Sequence, residues 1–299
     1  MTSPRIVFIL CPAYHGATLL SLLLNNHGRV FTLADTNPTR EYDQGCTCGK
    51  MVSTCDFWEG VRASVGWREA QDLPNLMPLY PMFSRNEVLN KSLNTALSVT
   101  AAKAGKGIWN IGGKPARSFQ IMYRNFLKYC QGIAHHEVFV DGEKSLLKFM
   151  TVASMGFPVA GVIHLVRDPR GYAHSCRKYF PDRSMEDIAK DWATHHARIR
   201  RFTGLFPDIP VLTVRHEDLA STPQAEMDRV FDFMGLASQE VVCPPVDLRK
   251  HHLMGNKMLA AFDGSVQADD AWQKTLSPAD CQTVMTAAGP LAGEFGYFL

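Results

Sequence analysis

The feature that most constrains the fold is an alternation of short apolar runs with segments of helical periodicity. Four runs have the length and β-branched content of buried parallel strands, at residues 6–10, 137–140, 160–166 and 210–214. Between them, apolar residues recur at helical spacing, notably at 17–26, 86–104, 116–131, 185–205 and 224–234. Strands that alternate with helices predict an α/β fold with a central parallel sheet flanked by helices.

Length and composition favour one globular domain. The 299 residues are 46% hydrophobic and contain no repeat or long linker, so we predict a single domain over 1–299. The 31 basic and 29 acidic residues leave a formal net charge of +2, without the basic field of a nucleic-acid-binding protein. Apolar stretches such as 6–10 and 19–24 are far shorter than the ~20 residues of a membrane-spanning helix. We therefore expect no nucleic-acid partner and no membrane span; the oligomeric state stays open.

The N-terminal segment does not resemble an export signal. Its apolar run at 6–10 is shorter than the usual signal-peptide core of about 7 to 15 residues, and Cys11, Pro12 and His15 prevent the run from continuing. We therefore expect the eight cysteines to be reduced and the protein to be cytoplasmic.

The turns after the four strands are where chemistry is expected, because ligands of open parallel sheets bind beyond the carboxyl ends of the strands. These turns read CPAYHGAT, DGEKS, RDPRG and RHEDL. The region 36–115, apart from the helical stretch 86–104, is irregular and rich in Pro, Gly, Cys and Trp. We interpret it as an insertion over the sheet edge that contacts the substrate.

The first turn has the form of an anion-binding loop. A strand, a turn of small residues and a helix aim backbone N–H groups at an anion, and Thr18 adds a hydroxyl. The nucleotide-triphosphatase pattern G-x-x-x-x-G-K-[ST] is absent, since Ala17 and Thr18 follow Gly16 without a lysine. The loop alone is weak evidence, because many α/β proteins begin this way without binding an anion there.

The pattern becomes more specific when four segments are taken in their order along the chain. They are the first loop, VIHLVRDPRGYAHS at 162–175, TVRHEDL at 213–219 and HHLMGNKM at 251–258. Together they resemble PAPS-dependent sulfotransferases, in particular bacterial members, with a spacing similar to tyrosylprotein sulfotransferases. The resemblance implies a three-layer sulfotransferase fold with a P-loop-like central sheet. It also implies transfer of a sulfuryl group from 3′-phosphoadenosine 5′-phosphosulfate (PAPS) to a hydroxyl or amine of a small-molecule or peptide acceptor, which leaves adenosine 3′,5′-bisphosphate and needs no metal.

The resemblance assigns the first loop to the 5′-phosphosulfate. The family pattern is R-S-G-T-T or K-S-G-T-T, and the matching positions here are Tyr14, His15, Gly16, Ala17 and Thr18, followed by Leu19. Tyr14 stands where the family has a cation, and Ala17 where it has a hydroxyl. A protonated His15, with an ordinary pKa near 6.5, is expected to supply the missing charge. The alternative is that this loop has lost its catalytic function.

The resemblance assigns the 3′-phosphate to Arg167, which ends a strand, and to Ser175 eight residues later in the next helix. A guanidinium at that position can hold a phosphate with two hydrogen bonds. The alternative is that Arg167 and Asp168 form an ordinary helix-capping pair. Lys257 is similar in position to basic residues that reach the 3′-phosphate from a late loop.

Two further residues are candidates for catalysis. Asp35 lies 21 positions after Tyr14, where tyrosylprotein-type enzymes have an acidic residue that accepts the proton of the attacking group. An Asx-turn with Asn37 is the alternative. Lys144 matches the lysine of a D-x-x-K segment and is expected to neutralise the sulfuryl oxygens or the leaving phosphate. Its alternative is a solvated surface lysine.

Cys46, Cys48 and Cys55 supply three thiols close in sequence, which permits a zinc site. No paired Cys or His spacing completes it, so the sequence assigns no metal. Bacterial relatives have a similar Cys-rich segment, which is expected to shape the acceptor side.

Two other functions stay open. One is a nucleotide-binding member of the same fold that no longer transfers sulfate. The other is an ATP-dependent small-molecule phosphotransferase, which the missing Lys-Ser/Thr pair disfavours.

Overall fold

The computed structural model describes residues 4–36, 43–66, 77–240, 251–254, 266 and 270–299. Its strands are β1 Arg5–Leu10, β2 Val30–Thr32, β3 Gly45–Cys46, β4 Val138–Asp141, β5 Val159–Val166, β6 Val211–Arg215 and β7 Leu253–Met254. The main sheet has five parallel strands in the order β2-β4-β1-β5-β6, and β3 pairs antiparallel with β7 in a separate two-stranded sheet.

The helices lie on both faces of the main sheet. In chain order they are α1 Ala17–Leu24, α2 Asp56–Val65, α3 Glu87–Ala104, α4 Gly113–Ala134, α5 Leu146–Ser154, α6 Pro169–Arg177, α7 Met185–Thr203, α8 His216–Ser221, α9 Pro223–Phe233, α10 Ala271–Thr275, α11 Pro278–Ala288 and α12 Pro290–Glu294. Short 3₁₀ turns occur at Val52–Thr54 and Lys106–Asn110. The predicted α/β architecture with a helix-flanked parallel sheet is confirmed.

Strand β1 shows why the sheet needs helices on both sides. Ile6, Phe8 and Leu10 pack into a core with side chains of α2, α4 and α5, whereas Val7 and Ile9 pack into a second core with α1 and α9. Successive strand residues point to opposite faces, so a strand that is buried on both faces is a continuous apolar run. The predicted strands are therefore found, each within one residue of its expected bounds at either end.

The described part of the insertion at 36–115 is more regular than its composition suggests. Helix α2 was not predicted, yet Trp58 and Val61 on its inner face are fully buried against α4. Gly60 permits this close contact, because a Cβ there would lie 2.0 Å from the hydroxyl of Tyr129. The Tyr129 hydroxyl also donates to the carbonyl of Phe57 at 3.2 Å, which fixes α2 on α4.

A third core joins the end of β5 to the C-terminal helices. Trp192 in α7 is fully buried there, among side chains from α6, α11 and α12. Its indole N–H donates to the carbonyl of Arg167 at 3.0 Å, so this core also supports the residue that ends the central strand. Among the helices in the described part of the chain, none combines the length and hydropathy that crossing a bilayer requires.

Candidate functional site

The first loop follows β1 and leads into α1 through a glycine in the left-handed conformation. Gly16 has φ 85°, and a Cβ there would lie 2.4 Å from Nδ1 of His216, the first residue of α8. The N–H groups of Ala17, Thr18 and Leu19 precede the first helical hydrogen bond, which Leu20 donates to the carbonyl of Gly16. Such N–H groups have no partner within the helix and form an anion site at its positive end.

The side chains of Tyr14 and Leu19 offer a bound anion less than the backbone N–H groups of the loop do. Tyr14 adopts φ 62° and stacks its ring on Tyr179, with ring centroids 5.1 Å apart. Leu19 is buried in the core and can offer a ligand only its N–H.

Arg167 and Ser175 come together beside this loop, as their spacing predicts. The Arg167 guanidinium donates to the carbonyl of Tyr14 at 2.5 Å and to the Ser175 hydroxyl at 3.3 Å. Both residues are largely buried, at 5% and 9% exposure, so a bound anion would meet strongly desolvated donors.

Asp168 caps α6 without Arg167. Its carboxylate accepts from the N–H of Arg170 at 2.8 Å and pairs with the Arg170 guanidinium at 2.7 Å. The capping pair is therefore Asp168 with Arg170, and Arg167 is directed at the first loop.

His15 lies in a buried row of imidazoles. Its Nδ1 is 2.8 Å from the carbonyl of Ala13, its Nε2 is 3.0 Å from Nε2 of His196, and Nδ1 of His196 is 2.8 Å from Nε2 of His164. Because a carbonyl only accepts, Nδ1 of His15 carries the proton of that ring, and its Nε2 is an acceptor. Nε2–H of His196 then donates to Nε2 of His15, and Nε2–H of His164 donates to Nδ1 of His196. Three neutral imidazoles satisfy the whole row.

This placement corrects the expectation that a protonated His15 replaces the family's cation. Burial lowers the pKa of His15 to about 3, and the nearby charge of Arg167 acts in the same direction. The ring points into the protein beneath the loop, so His15 supports the loop and adds no positive charge at neutral pH.

Asp35 and Lys144 form an ion pair, although they are far apart in sequence. β2 lies next to β4, so the residues after the two strands meet at the same edge of the sheet. Lys144 has φ 61° and Ala34 has φ 58°, a conformation that costs energy for residues other than glycine. Burial acts to lower the pKa of Lys144, but the Asp35 carboxylate raises it above its ordinary value, so Lys144 stays cationic. Lys144 is thus not a solvated surface lysine.

A second polar layer lies under this ion pair and was not predicted. Lys148 pairs with Asp141 at 2.7 Å and donates to the hydroxyl of Thr36 at 2.8 Å. The N–H and hydroxyl of Thr36 donate to Glu143 at 2.8 and 3.0 Å. Burial raises the pKa of Glu143 to about 7, even though the charge of Lys148 opposes that rise. A lysine within the apolar segment LLKFM was the sequence signal for this layer.

The strand order explains how these groups face one another. β1 lies between β4 and β5, so the first loop has the Asp35–Lys144 pair on one side and the Arg167–Ser175 pair on the other. Cys11 lies at the start of the loop, and burial raises the pKa of its thiol to about 12. The charges of Lys144 and Asp35 are both close enough to act on this thiol, in opposite directions. The remaining candidate, Lys257, and the proposed Asx-turn partner, Asn37, lie outside the described residues.

Comparison with known proteins identifies the family. The family model described as "Sulfotransferase family" matches residues 5–240. No curated protein matches the chain. Solved structures similar to it include the sulfotransferase domain of the Synechococcus PCC 7002 olefin synthase (16% identity, 100% of this chain and 97% of that chain, TM-score 0.48) and the sulfotransferase domain from the curacin biosynthetic pathway (16%, 99% and 99%, 0.49). A third is sulfotransferase STF9 from Mycobacterium avium (13%, 100% and 79%, 0.47). By the match of the family model, the chain belongs to the sulfotransferase family.

Proposed function

We propose that the protein is a PAPS-dependent sulfotransferase that acts on a hydroxyl or amine of a small-molecule or peptide acceptor. The observation that carries the proposal is the contact of Arg167 with both Ser175 and the carbonyl of Tyr14. It places a candidate 3′-phosphate site beside a candidate 5′-phosphosulfate site, and a nucleoside with phosphate groups at both positions needs both sites. A cytoplasmic location stays part of the proposal, and the free thiols of the described cysteines fit a reducing compartment.

The residues present fit such a donor. Gly16 lets the first loop pass directly against His216, where a Cβ would lie 2.4 Å from Nδ1, and the N–H groups of Ala17, Thr18 and Leu19 precede the first helical hydrogen bond. Arg167 and Ser175 supply charged and neutral donors for a second phosphate. When bound, PAPS supplies an activated sulfuryl group, and the chain's own residues position that group and stabilise its charge.

Lys144 and Asp35 are the candidate catalytic residues. The Lys144 ammonium, held cationic by its carboxylate partner, takes the electrostatic role that Tyr14 cannot fill and neutralises charge that develops on the leaving phosphate. Asp35 accepts the proton of the attacking hydroxyl or amine. Because the two side chains are already paired, proton acceptance at Asp35 also frees Lys144 to move to the new negative charge.

Glu143 is a second candidate for the base. Its carboxyl is hydrogen-bonded to Thr36, one residue after Asp35, and its raised pKa of about 7 suits a proton acceptor near neutral pH. The two candidates differ in the pH dependence of the rate that each predicts.

The first test is a calorimetric titration of adenosine 3′,5′-bisphosphate at fixed ionic strength. We expect micromolar binding by the wild type and a Kd about 10 to 150 times higher for Arg167→Ala, which corresponds to about 1.5 to 3 kcal/mol. Arg183→Ala is the matched control, since it removes the same charge from an exposed ion pair with Asp191 and is expected to bind normally. A wild type that does not bind the bisphosphate would overturn the proposal.

Transfer from labelled PAPS to a panel of hydroxyl and amine acceptors then separates an active enzyme from a nucleotide-binding relative. Labelled product is expected from the wild type. Tight bisphosphate binding without any labelled product would favour the catalytically impaired alternative, and ATP binding in place of bisphosphate binding would favour the phosphotransferase.

A further inference from the structure

Three cysteines and one histidine converge at the small sheet, away from the anion loop. Cys46 ends β3, Cys48 follows in the next turn, and Cys55 is the residue before α2. The pairing of β3 with β7 brings in His251, which lies 196 residues after Cys55. The four ligand atoms all lie within 4.8 Å of one another.

The spacing of these atoms fits one tetrahedral metal ion. Bonds of about 2.3 Å to sulfur and 2.0 to 2.1 Å to nitrogen place two sulfurs about 3.8 Å apart and a sulfur and a nitrogen about 3.5 Å apart. The Sγ atoms of Cys48 and Cys55 are 3.6 Å apart, and those of Cys55 and Cys46 are 3.9 Å apart. Nδ1 of His251 is 3.5 Å from Sγ of Cys46 and 3.3 Å from Sγ of Cys55. Each of these four distances matches an edge of the tetrahedron. The two sulfur–sulfur distances also far exceed the ~2.05 Å of a disulfide bond.

The backbone holds the ligands in place. The N–H of Gly49, which has φ 86°, donates to the carbonyl of Cys46 at 2.9 Å, and the N–H of Cys46 donates to the carbonyl of Lys50 at 2.8 Å. This tight turn points the two sulfurs of the C-x-C segment to one side. The ring of His251 stacks on Phe57, with centroids 4.6 Å apart and planes 7° apart, which orients its Nδ1.

We propose that Cys46, Cys48, Cys55 and His251 bind a structural Zn²⁺ ion. Three thiolates and an imidazole are the soft donor set that zinc prefers, and four protein ligands leave no open position for a substrate. The ion stabilises a junction between distant parts of the chain.

The neighbouring residue shows what the junction holds. The side chain of His252 points away from the cysteines, and its Nε2 lies 3.0 Å from the carbonyl of Thr32 and within hydrogen-bond distance of Asn25. The backbone N–H of His252 also donates to the hydroxyl of Thr47 at 2.9 Å. The zinc site thereby ties the insertion and the β7 segment to the end of β2, three residues before Asp35.

The test is the metal content of the full chain, purified under reducing conditions from zinc-supplemented cells. We expect about one zinc per chain in the wild type and in Cys281→Ser, a control that removes a half-buried thiol of α11. Cys55→Ser and His251→Ala are expected to lose most of the metal and to melt at lower temperature. His251→Cys, which keeps four soft ligands, is expected to retain it.

Cobalt exchange keeps the proposal testable if a variant fails to fold. Co²⁺ added to metal-free wild type is expected to give the visible absorption of a tetrahedral thiolate site and the charge-transfer band of a Co–S bond, and zinc is expected to remove both. A wild type that holds no zinc and shows no such absorption would overturn the proposal. So would a thiol titration of the protein as purified, before any metal is removed, that finds two of the three cysteines joined as a disulfide. None of these readouts depends on sulfuryl transfer.

Discussion

Lys144 and Asp35 form an ion pair across the neighbouring strands β4 and β2. The loops that carry them touch, since a Cβ on Gly142 would lie 2.6 Å from the carbonyl oxygen of Ala34. The two candidate catalytic side chains therefore act as one unit, whose geometry depends on the contact between these loops.

Substitution of the pair is expected to be non-additive. Lys144→Met and Asp35→Asn should each lower kcat by about 10² to 10⁴-fold, and the double variant should be little worse than the poorer single variant. Single-turnover rates with saturating PAPS measure this coupling. Independent, multiplying effects would show that the ion pair is not the functional unit.

The pH dependence of the rate distinguishes the two candidate bases. If Asp35 accepts the proton, Glu143→Gln should keep most of the activity and the shape of its pH profile. Loss of an acidic limb centred near pH 7 in Glu143→Gln, with a large fall in rate, would instead assign the base to Glu143.

Glu143 also predicts a pH effect on stability. Its pKa is raised to about 7 by burial, whereas the unfolded carboxyl titrates near 4.5, so the folded state binds more protons between these values. Its contribution to stability is present below pH 4.5 and is lost as the pH rises through 7. Denaturant titrations at pH 5.5 and 8 measure this effect. Between these two pH values the free energy of unfolding should fall less for Glu143→Gln than for the wild type.

His136 is expected to act in the opposite direction. Burial lowers its pKa to about 4, and among the described residues neither ring nitrogen has a hydrogen-bond partner. The unfolded imidazole binds a proton below about pH 6.5, so stability is lost as the pH falls from 6.5 toward 4.

Replacement of that ring tests the assignment. His136→Leu should raise the free energy of unfolding at pH 7 by about 1 to 3 kcal/mol, because it removes two desolvated polar atoms and keeps apolar contact with Phe31. It should also flatten the acid side of the stability curve. Urea titrations between pH 4.5 and 7.5 measure both effects, and a destabilised variant with an unchanged acid slope would contradict this explanation.

Gly16 is expected to tolerate no side chain. Gly16→Ala combines a left-handed backbone with a contact of 2.4 Å to His216, and we expect a loss of about 2 to 4 kcal/mol of stability together with loss of bisphosphate binding. Gly66→Ala is the matched control, because Gly66 is also left-handed but no atom of the described residues lies within 4 Å of its Cβ position. It should cost about 1 kcal/mol and leave binding intact. Equal effects of the two variants would show that backbone strain alone, and not the contact with His216, sets the requirement.

Local patterns in the sequence predicted much of the fold. The long strands were found because each is a continuous apolar run, and α3 because Asn86 caps a clear helical period. β2 was missed because three residues carry too little pattern, and α2 because cysteine, proline and glycine around it indicate an irregular loop.

The site was predictable where its residues share one local motif. Arg167 and Ser175 are an example, since one strand–helix turn sets their distance. The ion pair of Asp35 with Lys144 depends on which strands are neighbours, and the approach of His251 to Cys55 depends on a pairing 196 residues apart. His15 was misassigned because the direction in which a loop side chain points is decided by packing against His196 and not by its own neighbours in sequence.

The position of β1 in the middle of the sheet has a consequence for how such an enzyme changes over time. Under the proposed function, the nucleotide is held by the loop after β1 itself and by Arg167 and Ser175 after β5, whereas Asp35 and Lys144 follow β2 and β4 on the other side of β1. Mutations that remodel the acceptor side need not disturb nucleotide binding. Descendants of one ancestral chain can therefore diverge in what they sulfate while they keep the same donor.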